Sequence, residues 1–136
     1  MECIKPIRPF ITAFLSFLLA WSNLEAQDSP KKILFKASDG LELTADLYMT
    51  SDDKSKPFIL LCHQAGWSRG EYREIAPKLN EMGFNCMALD QRSGGKINDV
   101  ENESFGRAKA ANQGTTYVDA EVDIVSAAEY AKKNFA

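Results

Sequence analysis

Histidine is nearly missing from this chain: His63 is the only one among 136 residues. Cysteine is scarce as well, at three. Together they leave too few soft ligands for a structural zinc site, and no metal is expected. Positive charge is not in excess, since 16 Lys and Arg stand against 19 Asp and Glu. Without a basic footprint, a nucleic-acid partner has no support. The longest apolar run, residues 10–21, is shorter than the roughly 20 residues that a membrane span needs. There are no internal repeats. What remains is a composition of 45% hydrophobic and 26% charged residues, that of a globular protein at most one ordinary domain long.

Residues 1–26 read as a cleavable export signal. Lys5 and Arg8 supply the positive start, residues 10–21 the apolar middle, and Ser22-Asn23-Leu24-Glu25-Ala26 a polar end closing on a small residue. Cys3 precedes the apolar run, so it is not placed for lipoprotein processing. The expected mature chain is residues 27–136, periplasmic or secreted, with no stable membrane span after cleavage. Cys62 and Cys86 are then its only thiols. Both sit among apolar neighbours, and although export permits a disulfide, buried free thiols are the simpler reading.

Residues 32–37 alternate polar and apolar, and Ser38-Asp39-Gly40 follows. Asp-Gly between two alternating runs predicts a hairpin. In its second arm Leu41, Leu43, Ala45, Leu47 and Met49 share one face, while Glu42, Thr44, Asp46 and Tyr48 share a face expected to be wet. A hairpin with one wet face suggests the edge of a sheet. Residues 50–56 are a polar surface connection.

The chain is organised around residues 58–70. Phe58-Ile59-Leu60-Leu61-Cys62 predicts a strand buried on both faces of a parallel sheet. His63-Gln64-Ala65-Gly66 breaks it, and a helical pattern begins near Glu71. Ser68 and Glu71 stand in capping-box spacing, and Tyr72, Ile75, Ala76, Leu79 and Met82 form an apolar stripe. Pro77 inside that stripe should kink or split the helix. Residues 84–89 predict a second buried strand, closed by Asp90-Gln91-Arg92-Ser93-Gly94-Gly95. Residues 96–116 look like a long polar loop, with Asn102-Glu103-Ser104 matching a glycosylation sequon. Residues 117–134 predict a helix with Val118, Val122 and Val125 on one stripe, acidic residues early and Lys132 and Lys133 late, as the macrodipole favours. A strand, a Gly-rich turn and a helix leave free backbone N–H groups at the carboxyl end of a sheet, where open α/β folds bind ligands and stabilise anions.

At these residues the chain resembles the α/β-hydrolase superfamily, and within it the dienelactone-hydrolase-like and esterase-like members. The resemblance covers residues 32–135. The Ser38-Asp39-Gly40 hairpin, His63-Gln64-Ala65-Gly66 after the third strand and Asp90-Gln91-Arg92-Ser93-Gly94 after the fourth carry it. The last two are similar to the family's H-G-x-G and D-x-R-G-x-G turns, with Gln64 and Ser93 standing where glycines are usual. The resemblance implies an α/β fold, the N-terminal part of a three-layer αβα sandwich, incomplete in these residues. It implies a serine hydrolase of ester or related acyl bonds in small molecules, with no cofactor.

The resemblance puts an oxyanion donor on the Ala65 N–H, within a turn formed by His63 and Gly66. Acyl transfer builds negative charge on a carbonyl oxygen, and each preorganised donor there contributes roughly 2.7–4 kcal/mol. His63 in this position braces the turn and is not the catalytic base. Asp90, Arg92 and Gly94 make a structural turn, with Asp90 bonded to local N–H groups and Arg92 to nearby carboxylates. Gly66-Trp67-Ser68-Arg69-Gly70 matches G-x-S-x-G literally, yet Ser68 is separated from the strand by His63-Gln64-Ala65, is used as a cap, and has no histidine after it. No member of the catalytic triad is therefore assigned here. The expectation is the N-terminal half of such a domain, inactive alone, with its third strand left as an aggregation-prone edge. The rival reading is a non-catalytic α/β module that binds a small anionic ligand at the same turn. A flavodoxin-like domain would need a parallel first strand, against the Asp39-Gly40 hairpin.

Overall fold

The Asp39-Gly40 turn reverses the chain, and the first two strands follow from it. In the computed structural model, which describes residues 29–136, β1 (Lys31–Lys36) and β2 (Glu42–Tyr48) pair antiparallel, with Lys31 opposite Leu47 and Lys36 opposite Glu42. The export signal lies outside the described residues. β3 (Phe58–Cys62) and β4 (Asn85–Leu89) are parallel to each other, and β4 inserts between β2 and β3. The sheet order is β1-β2-β4-β3, so among the described residues β3 has one partner and one open edge.

Helices cover both faces. Leu43, Ala45, Leu47, Met87 and Leu89 pack with Ala127 and Ala131 of α3 (Glu121–Asn134), and Phe35 stacks on Tyr130 at 4.3 Å. On the other face Leu61, Cys86 and Ala88 meet Ala76 of α1 (Ile75–Glu81). Each large apolar side chain buried this way contributes roughly 1.5–3 kcal/mol. Among the described residues the result is a small α/β domain with a four-stranded sheet and three α-helices.

Four local expectations are corrected. The stretch 96–116 is not a loop: it folds into a short ribbon, β5 (Lys96–Ile97) with β6 (Val100–Glu101), and then α2 (Glu103–Ala110). The second face of β2 is not wet, because Thr44, Asp46 and Tyr48 are buried. The hairpin does lie at the edge of the sheet, with β1 outermost and β2 paired on both sides. Thr44 N–H, beyond the end of β4, donates to Ser104 Oγ of α2 at 3.0 Å.

The helix expected from Glu71 divides into a 3-10 turn, Arg69–Tyr72, and α1, which begins at Ile75. Pro77 is the third residue of α1, where a backbone N–H would have no helical partner anyway, and this makes the split tolerable. Ile75 and Met82 of the expected stripe are exposed. Finally, α3 starts at Glu121 and turns a different face inward. Val118 and Val125 are exposed, while Asp123, Ser126, Ala127 and Ala131 are buried.

Both described cysteines are free thiols. Burial pushes the Cys86 thiol up to about 11, which makes it an inert core group.

Candidate functional site

Because β3 and β4 are parallel neighbours, the turns that leave them lie side by side at the carboxyl end of the sheet. One runs from His63 to Trp67 and the other from Asp90 to Gly95. Gly66 N–H donates to Ser93 O at 2.8 Å, and Gly95 N–H to Trp67 O at 2.8 Å. Gly66 sits at φ +88°, a conformation that favours glycine. Gly94 is required for a different reason. A Cβ there would fall 1.7 Å from Asn102 Nδ2 and 2.4 Å from Trp67 O.

His63 is the pin between the turns. It is almost wholly buried. Its Nδ1 is 2.8 Å from Gln64 O, while Gln91 N–H donates to Nε2 at 3.0 Å. These partners assign the hydrogen to Nδ1. The Gln91 side chain returns a bond to His63 O at 3.2 Å. Asn102 Nδ2 lies 3.1 Å from His63 Nε2 as well. With both ring nitrogens engaged, the imidazole is a brace.

The backbone donors of the first turn divide unequally. Gln64 N–H donates to Glu71 Oε2 at 3.0 Å, Gly66 N–H to Ser93 O, and Trp67 N–H to Gln64 O at 3.1 Å. Ala65 N–H has no hydrogen-bond partner among the described residues, and Ala65 is exposed. His63 N–H likewise has no partner among the described residues, but His63 is buried, so of the two only Ala65 N–H belongs to an exposed residue.

Ser68 is sealed. It is 0% exposed, donates from Oγ to Val100 O at 2.7 Å, and accepts from Gly70 N–H at 3.2 Å. It caps the 3-10 turn and not a long α-helix. The Glu71 carboxylate bonds Gln64 N–H, so the reciprocal half of the expected capping box is not formed.

Asp90 corrects the expectation of local bonds, since among the described residues its carboxylate meets no N–H of its own turn. It accepts from Arg69 N–H at 2.8 Å and from Glu103 N–H at 2.9 Å, at the start of α2. Arg69 is buried and its guanidinium meets Asp90, Asp46 and Glu103. Burial opposes that charge, but Asp90 and Asp46 outweigh it and hold Arg69 above its ordinary pKa. Burial likewise raises Glu103, and the Lys32 ammonium and Arg69 outweigh it, leaving the carboxyl below its usual range. Arg92 corrects the expectation of local partners. It pairs with Asp39 in the β1–β2 turn and with Asp123 on α3.

Three contributors were not singled out from the sequence: Asn102, Arg69 and Asp123. Asn102 had a usable signal, an Asn directly before an acidic residue, which is a helix start. It caps α2 by accepting from Phe105 N–H at 2.8 Å, and its Nδ2 donates to Gln91 O at 2.8 Å and to Trp67 O at 3.1 Å. Being 5% exposed, it offers no accessible amide to the sequon it formally heads. Arg69 and Asp123 read as ordinary surface charges until their partners are known.

An open hollow of about 470 Å³ between the β1–β2 turn and α3, lined by Asp39, Val118 and Val122, shares only Arg92 with the two turns. Among the described residues no cluster of His, Cys, Asp or Glu is arranged to hold a metal ion, and no helix is long and apolar enough to cross a membrane. Comparisons with family models, with curated proteins and with solved structures return no match to this chain. Fold and site define a small α/β domain. Within its two interlocked turns, at the carboxyl end of a parallel strand pair, the N–H of the exposed Ala65 has no hydrogen-bond partner among the described residues.

Proposed function

We propose that this chain carries the oxyanion-stabilising turn of an exported α/β-hydrolase, a serine hydrolase acting on ester or related acyl bonds of small molecules. The observation that carries the reading is the Ala65 N–H, exposed and unpartnered among the described residues while Gln64, Gly66 and Trp67 are each bonded. A donor held by its neighbours and left without a partner needs no reorganisation when a carbonyl oxygen acquires charge. The order β1-β2-β4-β3 supports the finer fold reading, because the family's next strand pairs beside the third, and β3 keeps that edge open. The buried Ser68 supports placing the nucleophile elsewhere.

The test is fluorophosphonate labelling of the product purified from its native gene, together with turnover of small activated esters. Labelling on a serine other than Ser68, with turnover, is the expected result. Absence of both label and turnover, with binding of a small anion retained at the Ala65 amide, would favour the non-catalytic module.

A further inference from the structure

We infer that Asn102 is the positioning residue of this turn, an inference that rests on the oxyanion reading of Ala65. One side chain joins three parts of the molecule. Its Oδ1 caps α2 at Phe105 N–H. Its Nδ2 faces Gln91 O in the second turn, Trp67 O at the end of the first, and His63 Nε2 between them. Two carbonyls of the turn are thereby held: Gln64 O, in the same peptide unit as the Ala65 N–H, meets His63 Nδ1, and Trp67 O, at the end of the turn, accepts from Asn102 and from Gly95 N–H. Because the peptide is trans, the Ala65 N–H points opposite to Gln64 O, so the first anchor sets its direction and the second holds the end of the turn.

The same geometry fixes the imidazole. Nε2 receives Gln91 N–H and faces an amide nitrogen of Asn102, so the hydrogen belongs on Nδ1, where Gln64 O accepts it. Gly94 leaves the space that Asn102 Nδ2 occupies. α2 is itself pinned to the sheet through Ser104 and Asp90, so the clamp is anchored at both ends.

The full chain contains one histidine, and its ring nitrogens can be read alone in a long-range 1H–15N spectrum. The wild type should show the hydrogen on Nδ1. Asn102→Asp keeps an oxygen for the α2 cap but removes the Nδ2 donors to Gln91 O and Trp67 O, so the Ala65 amide peak should move while Gln91 N–H still keeps the ring hydrogen on Nδ1. Asn102→Ser also keeps a cap, and it should move the Ala65 peak while the Phe105 amide stays protected. A wild-type ring with its hydrogen on Nε2 would overturn the assignment, as would an unmoved Ala65 peak in a folded variant. Loss of fold in both variants would assign Asn102 to stability alone and overturn it too. None of these readouts involves ester turnover, so failure of the hydrolase reading and failure of the clamp are separable.

Discussion

Arg92 and Asp123 meet in a bidentate pair: Nε is 3.0 Å from both carboxylate oxygens, Nη2 is 2.6 Å from Oδ1, and the Arg92 backbone N–H adds a contact of 2.7 Å to Oδ2. The pair ties the turn after β4 to the first turn of α3, and this inward carboxylate belongs to the face that α3 buries. Removing one partner of a buried pair leaves the other charge uncompensated and costs about 3–5 kcal/mol. Asp39 still faces Arg92, so Asp123→Ala should lower urea stability by about the lower end of that range. A change below about 1 kcal/mol would mean that the guanidinium finds water instead.

Asp39 gives the pH dependence. Its hydrogen bond with Arg92 holds the carboxyl below the ordinary value of 3.8, so the folded state favours the ionised form. The contribution is present above the unfolded pKa and is lost as pH falls through the lower folded one. Stability should decline on acidification below about pH 4, and Asp39→Asn should flatten that limb without altering the neutral plateau's slope. Thermal melts across that window, wild type against variant, check it.

Pro77 separates two accounts of its helix. In a continuous helix from Glu71 it would be internal, and Pro77→Ala would stabilise by about 3 kcal/mol. At the third position of α1 it interrupts nothing, so the substitution should cost no more than about 1 kcal/mol, through greater freedom of the unfolded chain. Denaturant midpoints distinguish a gain from a small loss.

Ser68→Ala removes a cap and a buried bond to Val100 O, and should cost about 1–2 kcal/mol. In a fluorophosphonate-reactive preparation the labelling rate should stay within a few-fold of wild type. Complete loss of label with stability unchanged would make this serine the nucleophile after all.

Much of the scaffold is readable in neighbouring residues. The alternation through Leu41, Leu43, Ala45 and Leu47, the Asp39-Gly40 reversal and the apolar runs ending at Cys62 and Leu89 are local patterns, and the backbone answers them locally. The turns at His63–Gly66 and Asp90–Gly94 are legible for the same reason, since glycine marks where the chain must bend or approach another strand closely. Partners distant in the chain decide the rest. Thr44 and Asp46 look solvent-facing until α2 and Arg69 cover them, and residues 96–116 look unstructured until Asn102 and Ser104 find the turns and β2. Asp123 looks like a dipole-complementing surface charge until Arg92 draws it inside. A polar side chain carries no local sign of burial, because burial is tolerable only when its hydrogen-bond or ionic partner arrives, and here those partners come from other elements of the fold.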